Sequence, residues 1–145
     1  MEQLIEQMKV ALADTFTLYL KVHNFHWNVE GHGFPQYHAF FNDLYDELWN
    51  AVDPMAEHIR TLDAYVPGSM SRFLELATVQ EDSTIPIGGK EMCMVLYADN
   101  QKVIVSLIAA QMMAEEAKEI GLANFLQDRV DVHKKHDWML RSITK

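Results

Sequence analysis

Apolar residues recur at helical spacing along most of this chain. The first such stretch, from Glu2 to about Asn28, contains apolar side chains every three or four residues, which predicts one amphipathic helix. These residues are Leu4, Ile5, Met8, Leu12, Phe16, Tyr19, Leu20 and Phe25. The glycine-containing segment VEGHGF then breaks the pattern, and Pro35 suits the first turn of a second helix that we predict to reach about Leu62. Pro54 removes a backbone hydrogen bond inside that helix, so we expect a kink there or a helix in two pieces.

The connection after the second helix is long. Within residues 63–89, AYVPGS has turn chemistry, SRFLELA can form one or two helical turns, and EDSTIPIGG is typical of a loop. A third helix is predicted over Lys90–Ile120, with Gly121 placed to end it, and a fourth from Leu122 to about Ile143. We therefore predict a single all-α domain over residues 1–145: a ferritin-like four-helix bundle with a short extra helix between helices two and three. The long connection allows helices two and three to run parallel.

Composition narrows the classes of function. The chain has 145 residues, a formal net charge of −9 and a single cysteine, Cys93. One cysteine excludes an intramolecular disulfide framework and a cysteine-based zinc site. The first residues lack the pattern of a signal peptide, and we see no apolar run of about 18 residues, so we expect a soluble cytoplasmic protein without a membrane span. The net negative charge favours binding of cations over binding of nucleic acid, although such a charge is also typical of a soluble protein.

The chain has seven histidines and one cysteine, which favours a metal site built from nitrogen and oxygen ligands. Imidazole with carboxylate ligands points to iron among the redox metals. Bundles with an internal di-iron site carry Glu-x-x-His on two helices. No histidine of this sequence follows a glutamate by three residues, so a site of that type inside one bundle is not expected.

The second helix instead places potential ligands along one face. With His38 at zero and about 100° per residue, Asn42 falls near 40°, Asp53 near 60° and Glu57 near 100°. His38 and Asp53 are nevertheless about 22 Å apart along the helix axis, which is too far for one ion. A single straight helix therefore cannot close such a site.

A two-fold copy of the same helix can close it. The pairs 38/57 and 42/53 share a midpoint between Glu47 and Leu48, so an antiparallel partner crossing there sets its Asp53 and Glu57 beside His38. This isologous contact creates two identical sites, and His26, one short loop away, can complete each. Two alternatives remain open: His38 as a surface residue or helix cap, and Asp53 with Glu57 as a solvent-facing acidic pair.

The segment from His23 to Arg60 resembles the Dps family, the mini-ferritins of bacteria. The resemblance rests on His-Trp-Asn at 26–28, Gly31 and Phe34 in the loop, His38, Asp53 and Ala56-Glu57. The C-terminal segment KKHDWMLRSI also looks like the last helix of that family. The resemblance implies a dodecameric hollow shell with ferroxidase sites at two-fold interfaces. By position, His26 and His38 come from one subunit and Asp53 and Glu57 from its mate, while Trp27 lies beside the site or, alternatively, packs in the core.

One residue departs from the family pattern. The family commonly has aspartate four residues after the second histidine, whereas this chain has Asn42, a poorer iron ligand that carries no charge. We therefore expect one well-held iron and a weaker second position near His38. The main interpretation is an iron-sequestering ferroxidase that oxidises ferrous iron with hydrogen peroxide or oxygen and stores ferric mineral. The alternatives are a non-catalytic shell that binds iron or DNA structurally, and a bundle whose acidic face docks a protein partner.

Further candidate residues lie in the second half of the chain. Glu115, Glu116 and Glu119 are candidates for an iron-entry pore, with a solvated helix end as the alternative. His133 and His136, three residues apart, suggest surface histidines that could bind a metal. We also expect DNA binding to be weak or absent, because helical pattern starts almost at Met1 and no basic tail is apparent to neutralise phosphates.

Overall fold

Five helices account for most of the chain in the computed structural model, which describes residues 1–86 and 88–145. They are α1 (Glu2–Asn28), α2 (Phe34–Thr61), α3 (Met70–Leu76), α4 (Gly89–Glu116) and α5 (Ile120–Thr144). No strand occurs within the described residues. The predicted all-helical ferritin-like fold is thus confirmed, and α3 is the predicted short helix of the long connection. Position 87 of the predicted loop lies outside the described residues.

The four long helices form a bundle in which α1 packs against both α2 and α4. Contacts between α1 and α2 run in opposite directions along the two helices. His26 near the end of α1 contacts His38 near the start of α2, and Thr15, earlier in α1, contacts Met55, later in α2. The contacts with α4 also run in opposite directions: Gln7 with Ser106, and Lys21 with Asp99. Since α2 and α4 are both antiparallel to α1, they are parallel to each other, as predicted. Helix α5 closes the bundle against α4 and, through Glu47 with Arg129, against α2.

The turn between α4 and α5 differs from the prediction. Helix α4 ends at Glu116, and Gly121 lies inside α5 rather than ending α4. Lys118 takes the left-handed conformation (φ 60°) that usually favours glycine. The Glu119 amide donates to the Ala114 carbonyl at 2.9 Å, so the end of α4 is satisfied without a glycine.

Helix α2 is continuous from Phe34 to Thr61 and includes Pro54. The two-piece alternative is therefore wrong, while a kink at Pro54 stays a prediction. The helix persists because its apolar face is anchored on both sides of the proline, with Leu48 and Met55 fully buried. Burial of this kind outweighs one missing backbone hydrogen bond.

The long connection is fastened to the bundle by one buried carboxylate. Asp14 of α1 is fully buried and accepts hydrogen bonds from the backbone amides of Thr78 and Val79 at 2.6 and 2.9 Å. The hydroxyls of Thr78 and Ser106 donate to it as well. Four donors satisfy a buried carboxylate, so Asp14 holds the connection against α1 and α4.

Helix α4 is long and apolar enough to cross a membrane by length and composition, contrary to our expectation that no such stretch exists. Half of that stretch is buried inside the bundle, and the helix packs against both α1 and α5. This is the position of a core helix. No other described helix meets the same criteria.

Candidate metal centre

Two histidines from successive helices meet at one end of the bundle. His26 lies in the last turn of α1 and His38 near the start of α2, and residues 29–33 connect the two helices. Gly33, just before α2, has φ 81°, a conformation that glycine adopts without strain. This tight connection brings the imidazole rings to 3.8 Å between centroids, nearly parallel at 17°.

The two histidines hold each other through reciprocal hydrogen bonds. Nδ1 of His26 is 2.8 Å from the carbonyl oxygen of His38, and Nδ1 of His38 is 2.8 Å from the carbonyl oxygen of His26. A carbonyl oxygen only accepts, so each Nδ1 carries a proton and donates it. In the neutral ring each Nε2 then keeps its lone pair for a metal ion. Backbone carbonyls orient metal-binding histidines in this way in many known sites.

Asp53 and Glu57 form an exposed acidic pair one turn apart on α2. A hydrogen bond with Asp53 and the negative charge of Asp53 raise the pKa of Glu57. Two carboxylates this close resist being charged together, and a bound cation relieves that repulsion. The pair is therefore chemically suited to bind a metal ion, but other residues must supply the remaining ligands.

Within one chain the histidine pair and the acidic pair remain apart. Asp53 lies 15 residues after His38 on one continuous helix, which separates them by about 22 Å along the axis. Among the described residues, no three His, Cys, Asp or Glu side chains converge on a point that could hold a metal ion. The single chain thus presents two half-sites, and their union across a two-fold contact stays a prediction.

Asn42 has an interaction that the sequence did not reveal. The hydroxyl of Tyr45 donates to Oδ1 of Asn42 at 3.2 Å on the exposed face of α2. Oδ1 is the only oxygen with which an asparagine side chain can bind a metal. One of its lone pairs is engaged by Tyr45, which supports the expectation that Asn42 is a weak ligand.

Two tryptophans of α1 and α2 are exposed. Trp27 is 61% exposed, which makes the core-packing alternative for this residue wrong, and its ring lies 4.0 Å from that of His23. Trp49 is 52% exposed and lies near 20° on the helical scale that places His38 at zero, beside the midpoint of α2. Its ring contacts that of Tyr19 at 5.1 Å between centroids. Sequence reasoning missed Trp49, although its spacing of eleven residues from His38 assigns it to the same face.

The remaining candidates have different surroundings. Glu115 and Glu116 are exposed at the end of α4, and Glu119 immediately precedes α5, so their role in a pore stays a prediction. The prediction that His133 and His136 are surface residues is wrong, since their exposed fractions are 0% and 8%. Both histidines face the interior, because they lie on the side of α5 that packs against α2 and α4.

Comparison with known proteins extends these observations to a family. The model of the ferritin-like domain matches residues 5–145. An uncharacterized low temperature-induced protein of Nostoc sp. is 34% identical over 132 residues, which are 90% of this chain and 74% of that protein. DNA protection during starvation protein 2 of Bacillus anthracis is 29% identical over 97% of this chain and 96% of its own length.

A solved structure shows the same fold. The Dps protein of Vibrio cholerae, described as a member of a broad superfamily of ferritin-like diiron-carboxylate proteins, superposes with a TM-score of 0.94. The two chains are 27% identical, and the match covers 99% of this chain and 90% of the other.

Proposed function

This chain belongs to the Dps family of ferritin-like proteins, and on that premise we propose that it is an iron-sequestering mini-ferritin with ferroxidase activity. It binds ferrous iron at sites shared by two subunits, oxidises the iron, and stores ferric mineral in a hollow shell, which limits oxidative damage. The observation that carries the proposal is the reciprocal pairing of His26 with His38. That pairing leaves two metal-binding nitrogens, of which that of His38 lies on the face of α2 that also carries the acidic pair Asp53 and Glu57.

The shared site follows from the symmetry of α2. An antiparallel copy crossing between Glu47 and Leu48 sets the acidic pair of each chain beside the histidine pair of the other. Exposed Trp49 lies beside that crossing point. Large aromatic residues near the centre of an interface contribute much of its binding energy, so an exposed tryptophan here supports this contact.

The proposed ligands have separate roles in the chemistry. His26 and His38, as neutral imidazoles, bind ferrous iron, and Asp53 and Glu57 supply the negative charge that favours the ferric product. Each ferrous ion gives up one electron, and one hydrogen peroxide takes two electrons and two protons to form two water molecules. Removal of ferrous iron together with peroxide prevents formation of hydroxyl radicals; molecular oxygen is the slower oxidant.

A second candidate function rests on Asn42. If position 42 must supply a charged ligand, an asparagine whose oxygen already accepts from Tyr45 leaves the site unable to turn over. The chain would then form a non-catalytic shell that binds iron or DNA structurally. Ferroxidase activity is the preferred proposal because the other four ligand positions are retained.

The proposal extends to assembly and partners. We infer a homo-oligomer, a dodecamer by family resemblance, in which Glu115, Glu116 and Glu119 line a pore for iron entry. The net charge of −9 opposes the phosphate backbone, so weak or absent DNA binding is part of the proposal.

Stopped-flow oxidation of ferrous iron by hydrogen peroxide tests the proposed function. Wild-type protein should oxidise iron well above the rate in buffer, and Glu57→Ala should lose most of that gain. Glu75→Ala is the matched control, because Glu75 is an exposed glutamate paired with Arg72 on α3. Uncatalysed rates for the wild type would contradict the ferroxidase and favour the non-catalytic shell.

A further inference from the structure

A layer of polar side chains connects α5 to α2 and α4 in the interior of the bundle. Glu47 comes from α2, Asn100 from α4, and Arg129, His133 and His136 from α5. Asn100 and His133 are almost completely buried, and Arg129 and His136 are less than a tenth exposed. Such groups are costly to bury without partners, so the hydrogen bonds among them help to hold α5 in place.

The hydrogen bonds of this polar layer fix the protons of His133. The side-chain amide of Asn100 donates to the His133 carbonyl at 2.9 Å, and Oδ1 of Asn100 lies 2.7 Å from Nδ1 of the ring. Oδ1 only accepts, so Nδ1 carries a proton. On the other side of the ring, Nη2 of Arg129 lies 3.0 Å from Nε2. A guanidinium only donates, so Nε2 is the unprotonated acceptor and His133 is neutral in this arrangement.

A protonated His133 is incompatible with these contacts. A proton on Nε2 would set the N–H of the ring against the N–H of Arg129 across the 3.0 Å that now separates donor and acceptor. It would also add a second positive charge at a position with no exposure to water. Rotation of the ring does not remove the conflict, because both nitrogens of a charged imidazole are donors.

The charged groups around His133 act in opposite directions. Arg129 and His136, both on α5, disfavour a positive ring, whereas Glu47 of α2 favours one. Burial disfavours the positive ring more than any of these charges. The side chain that α4 presents to the ring is the neutral Asn100.

Other buried ions near these helices have partners of their own. Lys21 of α1 and Asp99 of α4 form an ion pair at 2.8 Å. Asp137 of α5 accepts a hydrogen bond from Gln101 of α4. These contacts join the same helices without involving the ring of His133.

We propose that Asn100, His133 and Arg129 form an acid-sensitive latch, in which protonation of His133 breaks its hydrogen bond with Arg129 and releases α5 from α2 and α4. Nε2 of His136 donates to Glu47 at 2.8 Å, and the same N–H is present whether that ring is neutral or charged. His136 is therefore not part of the latch. The latch is separate from the exposed histidine pair, and it operates without iron.

The pH range of the latch depends on where the proton binds. Burial, reinforced by the charges of Arg129 and His136, lowers the pKa of His133 well below its ordinary value of 6.5. When α5 opens, water reaches the ring and the ordinary pKa returns. The open form then binds more protons, so the closed form loses stability as the pH falls below 6.5. Between pH 7 and pH 5 the equilibrium constant for opening should rise roughly 20-fold.

Hydrogen–deuterium exchange of the assembled, iron-free protein at pH 7 and pH 5 tests the latch. After correction for intrinsic exchange rates, opening of α5 should increase roughly 20-fold in the wild type. His133→Gln, whose amide does not titrate, should reduce that increase to less than about threefold. His136→Gln is the matched control from the same polar layer and should keep the full increase. An equal increase in His133→Gln and in the wild type would overturn the proposal.

The wild type alone decides the matter if His133→Gln does not assemble. Below pH 6.5, opening of α5 should then rise by at most about tenfold per pH unit, as uptake of one proton requires. Residues 2–14 of α1 contain no histidine and serve as the internal reference, where opening should not change. Opening of α5 that is independent of pH, or that rises equally in both segments, contradicts the latch.

Discussion

His26 and His38 each donate from Nδ1 to the backbone carbonyl of the other, at 2.8 Å in both directions. The bond to the His26 carbonyl satisfies an acceptor in the last turn of α1, where helical carbonyls lack partners. The pair is therefore a helix-end connection as well as a prepared pair of metal-binding nitrogens. One arrangement performs both tasks, which couples the local fold to the proposed chemistry.

This coupling predicts non-additive losses of activity. His26→Ala and His38→Ala should each slow ferrous oxidation by roughly 10–100-fold, since each removes a ligand and the partner that orients the other ligand. The double variant should be no more than a few-fold slower than either single variant. His32→Ala, in the exposed loop between the two helices, is the control and should behave like wild type. Losses that multiply in the double variant would mean that the two histidines act independently.

Protonation of Glu57 should weaken metal binding in acid. Asp53 raises the pKa of Glu57 through a hydrogen bond and through its charge. Glu57 must lose its proton to bind iron, so affinity should fall as the pH drops through this raised pKa, above the ordinary glutamate value of 4.5. Asp53→Asn should lower the pKa of Glu57, which an NMR titration of the side-chain carboxyl carbons measures directly. A Glu57 titration that is the same in both proteins would contradict the coupling.

Asn42 is expected to limit the rate of oxidation. Asn42→Asp adds a negative oxygen ligand on the face that carries His38 and should speed peroxide-driven oxidation several-fold, as a charged ligand stabilises the ferric product. Tyr45→Phe removes the hydroxyl that donates to Asn42 and serves as a comparison, since it frees the amide oxygen without adding charge. An unchanged rate in stopped-flow measurements of Asn42→Asp would show that position 42 does not bind iron.

Glu47 should contribute to stability rather than to the interfacial site. Burial alone would raise its pKa, but hydrogen bonds from His136 and Arg129 and their charges outweigh burial and lower it to about 2. Glu47→Gln leaves Arg129 buried without its counter-charge, so we expect a loss of roughly 2–4 kcal/mol in the free energy of unfolding at pH 7. The carboxylate is 31% exposed, and solvent screening reduces the loss below that of a fully buried pair.

The pH dependence of that loss provides a check. A lowered pKa stabilises the fold above the unfolded-state value near 4.5, and the contribution disappears as the pH falls from there toward about 2. Urea unfolding should therefore separate wild type from Glu47→Gln at pH 7 and much less near pH 2. Glu75→Gln, at an exposed pair, should change stability by less than about 0.5 kcal/mol. Equal effects at both positions would argue against a buried Glu47–Arg129 pair.

The sequence predicts the helices well because their apolar faces have the helical period. It errs at the turn after α4, where Lys118 adopts the left-handed conformation and Gly121 is helical. The sequence places the turn at Gly121, because glycine adopts the left-handed conformation without a steric penalty. The backbone bonds that satisfy the end of α4 without glycine are visible only in the structure.

The candidate ligands were also predictable, but their surroundings were not. Spacing along α2 assigns His38, Asp53 and Glu57 to one helical face, because a helix has a fixed angle per residue. Spacing does not show that the His38 ring donates to the His26 carbonyl, since that bond joins two helices. For the same reason His133 and His136 looked like surface residues: their burial depends on which side of α5 meets α2 and α4.

Complementation between two inactive variants tests the shared site most directly. If each chain completes the site of its partner, a dimer of one His38→Ala chain and one Glu57→Ala chain contains one intact site and one doubly damaged site. Unfolding, mixing and reassembling equal amounts should yield half mixed dimers, and hence about a quarter of the wild-type rate of ferrous oxidation. The two variants reassembled separately serve as controls and should keep only their own low residual rates. A mixture as inactive as its components would contradict a site built from two chains.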